Sequence, residues 1–307
     1  MFKAKKKLAE KATKAMYSVI KKGRKHNLSI RCQIDLFDKI VKPILLYGCE
    51  VWGCCKKDVI EQVHLKFLKL LFHMKKSTPN CMVYGESGRY PLNVSINCRI
   101  LSYWCKLLND NENKLSSIIN TLSYYNYVIN DFKFAWIKHI NDILNNCGFS
   151  NIFHLQNGAF NKWLVSSVKL RLVDQFRQFW HENIENSPKC INYKIFKYDL
   201  VFEKYFDILD DRDIYTLCKF RTLNHCLPIE QGRWLNIERG ERICTFCDKN
   251  DLGDEYHYIM ECPRFADDRT TLLPKNIYYR PNVMKFRSLF TINRISVLKN
   301  CVNLLGS

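Results

Sequence analysis

The run CTFCDKNDLGDEYHYIMEC, residues 244–262, spells C-x2-C-x9-H-x4-C through Cys244, Cys247, His257 and Cys262. Three thiolates and one imidazole make a closed tetrahedral shell of the kind that structural zinc takes. The C-x2-C pair lets one tight turn aim both sulfurs at a single ion. Asp248 to Tyr256, with Gly253 among them, reads as a polar turn, and His257 approaches from a second element. Pro263 pushes Cys262 away from helical dihedrals. The spacing therefore predicts His257 on a short helix and Cys262 where the chain leaves it. The competing reading is a chance cluster in a chain of 15 cysteines. The added H-x4-C, so close to the pair, argues against chance.

Around this run lie 307 residues, 47% of them hydrophobic, enough to bury a sizeable core, and the length suggests roughly two domains. The cysteines are odd in number and follow no framework spacing, and the N-terminus MFKAKKKLAEK lacks the apolar stretch of a signal peptide. A reduced, intracellular protein is expected, cytoplasmic or nuclear, with mostly free thiols. No apolar run reaches the roughly 18 residues that a membrane span needs.

The net charge of +18 is unevenly spread. Residues 1–25 hold ten Lys/Arg against one Glu, and residues 26–199 hold 22 against 14 acidic. Residues 200–270 reverse sign, with 10 basic and 15 acidic, and residues 271–307 hold six basic and no acidic. Such asymmetry points to a polyanionic partner, most simply RNA or DNA, because neutralised phosphates release counterions. Solvated lysine faces and a membrane-surface helix over residues 3–25 are the competing readings.

Helical periodicity dominates. Leu8, Ala12, Ala15, Met16, Val19 and Ile20 describe a basic amphipathic helix that should stop near Gly23. Ile30 to Tyr47 keeps one apolar face, with a kink expected at Pro43. Asp58 is the expected N-cap of a helix from Val59 to Met74. TPNCMVYGESGRYP, 78–91, reads as a loop because Pro and Gly punctuate it. Leu92 to Leu108 resumes the helical period, and 109–130 is a linker or peripheral helix. Phe132 to Leu144, Phe160 to Asn183 and Asp213 to Asn224 also read as helices. Extended structure is confined to short pieces at Trp234 to Ile237 and Arg242 to Phe246. The fold class that follows is mainly α.

Two further runs carry a resemblance. IDLFDKIVKPILLYGCEVWG (34–53), followed by VYGESGRYPLNV (83–94), resembles the segment just after the polymerase palm in LINE-type, non-LTR retrotransposon reverse transcriptases. LCKFRTLNHCLPIEQGRWLNIERGERICTFCDKNDLGDEYHYIMECPRF (217–265) is similar to the zinc-knuckle region at the C-terminus of the same proteins. The motifs stand in the family's order and anchor about a third of the chain. The resemblance implies a thumb-like helical bundle over 1–115, a helical connecting region over 116–200, and a zinc-knuckle region with a basic tail over 201–307. In that family the metal-binding aspartates belong to the upstream palm, so Met1 looks like the start of a truncated element copy or partial gene. The missing polymerase portion then becomes a possible partner.

Phe265-Ala266-Asp267-Asp268 imitates the reverse transcriptase box whose aspartates hold two metals. Its setting argues otherwise: no apolar strands flank it and Pro263 and Arg264 precede it, so a solvated helix start is expected. Asp210, Asp211 and Asp213 should cap the following helix. GESGR (85–89) lacks the Lys and Ser/Thr of a nucleotide loop and reads as a turn. Cys49, Cys54 and Cys55 are expected as small buried hydrophobes, and Tyr47, Trp52, Tyr84, Tyr90 and Trp104 as core aromatics.

The expected function is non-catalytic: a nucleic-acid-binding C-terminal portion of an RNA-directed DNA polymerase. Lys5, Lys6, Lys7, Lys11, Lys14, Lys21, Lys22, Arg24 and Lys25 are the candidates for contacts to the phosphates of a template–primer duplex or element RNA. Lys219, Arg221, Arg233, Arg239 and Arg242 could add a local basic face, together with Arg264 and Arg269. Zn2+ is the expected cofactor, in a structural role, and His225 is expected to be a packed or solvent histidine. The alternative is a zinc-organised protein-interaction module, favoured by the negative balance of 200–270.

Overall fold

A computed structural model describes residues 2–55, 58–111, 113–130, 134–156, 161–291 and 294–306. It is helical, as the periodicity predicts; among the described residues extended pairing is limited to two isolated bridges, Ser87 with Phe202 and Ile243 with Leu252. No described helix is long and apolar enough to cross a membrane.

The chain divides into two units, otherwise than at 115 and 200. Unit 1 gathers residues 1–28, 32–64 and 90–179; unit 2 gathers 29–31, 65–89 and 180–307. The segment 65–89 thus folds with the C-terminal region, although the sequence places it in the thumb-like stretch.

In unit 1, α1 (Phe2–Lys25) runs through Gly23 and buries Ala9, Ala12, Met16, Val19 and Ile20. Next come α2 (Ile30–Leu36) and α3 (Lys42–Leu45), joined by a π-helical turn, Phe37–Val41. The kink expected at Pro43 takes this form: the Lys42 N–H reaches back to the Phe37 carbonyl, widening the turn just before a residue that has no N–H to give. Both the turn and α3 pack on α1. The short α4 (Cys49–Trp52) lies against α7 (Leu92–Asn109). Asp58 is the first residue of α5 (Asp58–Leu71) rather than its cap, and its charge still favours the N-terminal turn. Trp104 and Phe37 are fully buried, Trp52 and Tyr84 nearly so, but Tyr47 is 75% exposed against its expected core position.

The loop expected over 78–91 is a helix, α6 (Asn80–Ser87), and a buried one. Its breakers bracket it: Pro79 stands at the N-cap and Gly88, at φ +60°, closes the C-terminus. Gly85 is helical for a packing reason, since a Cβ there would meet the Tyr193 hydroxyl at 2.4 Å.

The stretch 109–130 resolves into α8 (Leu115–Ile129), packed with α7 and α9 (Ala135–Asn146). After α10 (Ser150–Leu155) comes α11 (Asn161–Glu185); the expected starts at Phe132 and Phe160 lie outside the described residues. Unit 2 continues with α12 (Tyr193–Phe196), α13 (Tyr205–Ile208) and α14 (Asp211–Arg221). Asp210 caps α14 as expected, its carboxylate accepting from the Asp213 N–H at 3.0 Å. Trp234 ends a helix, α15 (Pro228–Trp234), where an extended piece was expected. The helices α16 (Ala266–Leu272), α17 (Lys275–Tyr278), α18 (Val283–Thr291) and α19 (Ile295–Gly306) close the unit, with α14 and α16 packed on α19.

Candidate metal centre

Cys244 and Cys247 stand on the turn that follows the Ile243–Leu252 bridge partner, and the bridge is fastened by Cys244 N–H to Asp251 O at 2.8 Å and Gly253 N–H to Arg242 O at 2.9 Å. The Phe246 N–H points at the Cys244 sulfur at 3.4 Å, a bond that favours a thiolate there. Across from this turn runs a π-helical turn, His257–Glu261, in which the Cys262 N–H bonds the His257 carbonyl at 2.7 Å. The H-x4-C spacing demands it. In an α-helix five residues turn through about 500°, leaving Cys262 about 140° from His257; i→i+5 bonding brings it back beneath the imidazole. Cys262 then leaves at φ −59°, ψ 120° before Pro263, as the sequence predicts.

The donor atoms of all four residues lie within 4.8 Å of one another. Cys244 Sγ is 3.9 Å from Cys262 Sγ, and Cys247 Sγ is 3.4 Å from His257 Nε2. A tetrahedral shell with zinc bond lengths requires about 3.8 Å between sulfurs and about 3.5 Å between sulfur and nitrogen. The cluster could therefore hold a metal ion, at spacings compatible with zinc. The second imidazole nitrogen, Nδ1, is buried without a hydrogen bond, and the Asp251 carboxylate is 3.7 Å away. A carboxylate on that side is the usual partner of a ligating histidine. Burial pushes the Cys262 thiol up to about 11, so by itself it stays protonated; a cation reverses that preference.

Neighbouring side chains brace the ligands. Asp254 accepts from the His257 N–H at 2.9 Å. Arg269, read from the sequence as a surface cation, is buried, donating to the Ile259 and Cys262 carbonyls at 2.9 and 2.6 Å. His225 is packed: it meets Glu255 through Nε2 at 2.7 Å and receives the Leu227 N–H on Nδ1. Burial alone would raise the Glu255 carboxyl, but hydrogen bonds from His225 and Asn192 hold it below the usual carboxylate range. Asp267 and Asp268 occupy the first turn of α16, the helix start expected of them.

The candidate cations fall into two groups. Along α1, Lys6, Lys7, Lys11, Lys14, Lys21, Lys22, Arg24 and Lys25 are exposed, but Lys5 is only 5% exposed and lies over the Trp52 ring at 5.2 Å. In unit 2 the arginines are engaged. Arg233 grips Glu230 at 2.6 Å, Arg239 faces Asp254 at 3.7 Å, and Arg242 donates to the Ile237 and Ile229 carbonyls. Lys219 is half-buried beside Tyr215.

Arg221 is 1% exposed, which removes it from the surface set. Its guanidinium takes both Glu86 oxygens at 3.0 Å and Glu203 at 3.1 Å, and donates to Phe290 O. Tyr205 gives its hydroxyl to Glu86 at 2.7 Å, and buried Lys197 pairs with Glu203. Burial opposes ionisation of Glu86, but Arg221 and Lys197 outweigh it and hold the carboxyl low. Sequence reading missed this centre, because Glu86 stood in an apparent loop and Arg221 on a helix that looked solvated. No family profile, curated protein or solved structure matches the chain.

Proposed function

We propose that the protein is a zinc-containing, non-catalytic nucleic-acid-binding unit of the kind that follows the palm in non-LTR retrotransposon reverse transcriptases. The observation that carries the reading is α1: eight exposed cations on one helix with Glu10 as its only acid. That face would take the phosphates of a template–primer duplex or element RNA. The family resemblance of 34–53, 83–94 and 217–265 supports the same assignment. Zinc in the Cys244, Cys247, His257, Cys262 shell would have a structural role, since all four positions are protein donors and no position is left open to substrate.

No step of chemistry is assigned to the chain. Asp267 and Asp268 start a helix and Asp210 caps one, so neither set supplies a metal pair for nucleotidyl transfer.

The test is a salt titration of binding to duplex and single-stranded RNA and DNA. The logarithm of affinity should fall linearly with the logarithm of salt, and each α1 lysine replaced by glutamine should flatten the slope by about 0.7–0.9. Salt-independent association would overturn the reading.

A zinc-organised protein-interaction surface is the second reading, favoured by the carboxylate and carbonyl partners that already occupy Arg233, Arg239 and Arg242. A pulldown that survives nuclease treatment would select it.

A further inference from the structure

Helix α8 has opposite faces of different fate. Ser117 and Asn120 are buried, and Tyr124 and Tyr127 pack edge-on against Phe153. On the other side Leu115, Ile118, Leu122, Tyr125 and Ile129 are 72, 42, 56, 55 and 72% exposed. Their spacing of three and four residues is the a/d repeat of a two-helix seam. In a chain of net charge +18, α8 contains no Asp, Glu, Lys, Arg or His at all.

Grooves of about 490 and 460 Å³ run along the two flanks of the helix. The larger is walled by Val51, Tyr103 and Trp136, and Asn120 lines it with a buried Oδ1 that accepts no hydrogen bond.

We propose that this face is where a second copy of the chain docks, with the α8 helices antiparallel about a two-fold axis near Leu122, the midpoint of the seam. Three features select a copy of the same chain over another occupant. A ridge beside a groove is self-complementary under two-fold rotation, each ridge entering the other copy's groove. The face carries no charge, so two strongly cationic molecules meet there without like charges in contact, whereas a polyanion would find no cation on it. The seam also brings uncharged donors, the Tyr125 hydroxyl and the Asn126 amide, of the kind the orphaned Asn120 oxygen lacks. Five seam residues and the groove walls amount to less than the roughly 20 residues a side of a standard interface, so the dimer should be weak, with a dissociation constant on the order of micromolar.

The experiment is sedimentation equilibrium of nuclease-treated full chain at about 0.5 M salt, where screening removes nucleic-acid bridging. The mass should rise reversibly with concentration from 36.5 kDa towards twice that value. Leu122→Lys, at an exposed position, should weaken dimerisation at least tenfold with an unchanged melting curve, and Val201→Lys, exposed elsewhere, should not. A monomer at every concentration, a dimer indifferent to Leu122→Lys, or association only with a different protein would each overturn the proposal. None of these outcomes bears on the salt-dependent binding assigned to α1.

Discussion

Unit 2 contains two buried polar centres built on opposite plans. The cysteine–histidine cluster gathers four electron-pair donors that leave their common point without a positive charge, so it is complete only with a cation from outside. The Glu86–Arg221–Glu203–Lys197 network brings its own cations and satisfies itself, down to the Phe290 carbonyl and the Tyr205 hydroxyl. One centre makes folding conditional on a solute. The other makes it conditional on pairing residues more than a hundred positions apart, since Arg221 and Glu86 lie 135 apart in sequence.

The largest difference should appear on metal removal. Zinc binding to small sites contributes on the order of 10 kcal/mol at neutral pH, comparable with the stability of a whole domain. Cys247→Ser or a chelator should therefore unfold residues 217–270, seen as lost amide protection there. Metal analysis under reducing conditions should find one zinc per chain, and its absence would remove the comparison altogether.

Breaking the self-satisfied centre should cost less. Arg221→Met strands Glu86 and Glu203 and should destabilise by about 3–5 kcal/mol in urea unfolding. Adding Glu86→Leu to it should recover part of that loss, whereas no second substitution should rescue Cys247→Ser.

Acid sharpens the contrast further. Glu86 has a depressed pKa in the folded chain, so its contribution is fully present above the unfolded value of about 4.3 and is lost as pH falls through the lower folded value. The difference in urea midpoint between wild type and Glu86→Gln, at fixed zinc, should shrink as pH drops below about 4. The smallest effect expected belongs to α1. Lys6→Gln should change the salt slope alone, whereas Lys5→Gln should leave the slope and remove about 0.5–2 kcal/mol of cation–π stabilisation.

How far each centre was legible follows from the same contrast. The ligand set lies within nineteen consecutive residues, and ligand spacing is a local property of sequence. The long apolar periods of α1 and α7 were legible for the same reason, as was the Asp210 cap. Glu86 and Arg221 carry no local sign of each other. Helix α6 was hidden because Pro79, Gly85 and Gly88 look like interruptions until the close approach of Tyr193 to Gly85 is known. The partition into units was illegible too, since 65–89 joins the C-terminal half through contacts such as Asn224 with Thr78.

The π-helical turn at His257–Glu261 also says something about how this site tolerates changes of length. A π-turn is an ordinary helix carrying one residue too many. Deleting one residue between His257 and Cys262 would leave H-x3-C, and an α-helix already sets positions i and i+4 on one face. The two spacings are thus alternative spellings of one ligand geometry, and the site can survive the loss of a codon that would ordinarily shift a helix out of register.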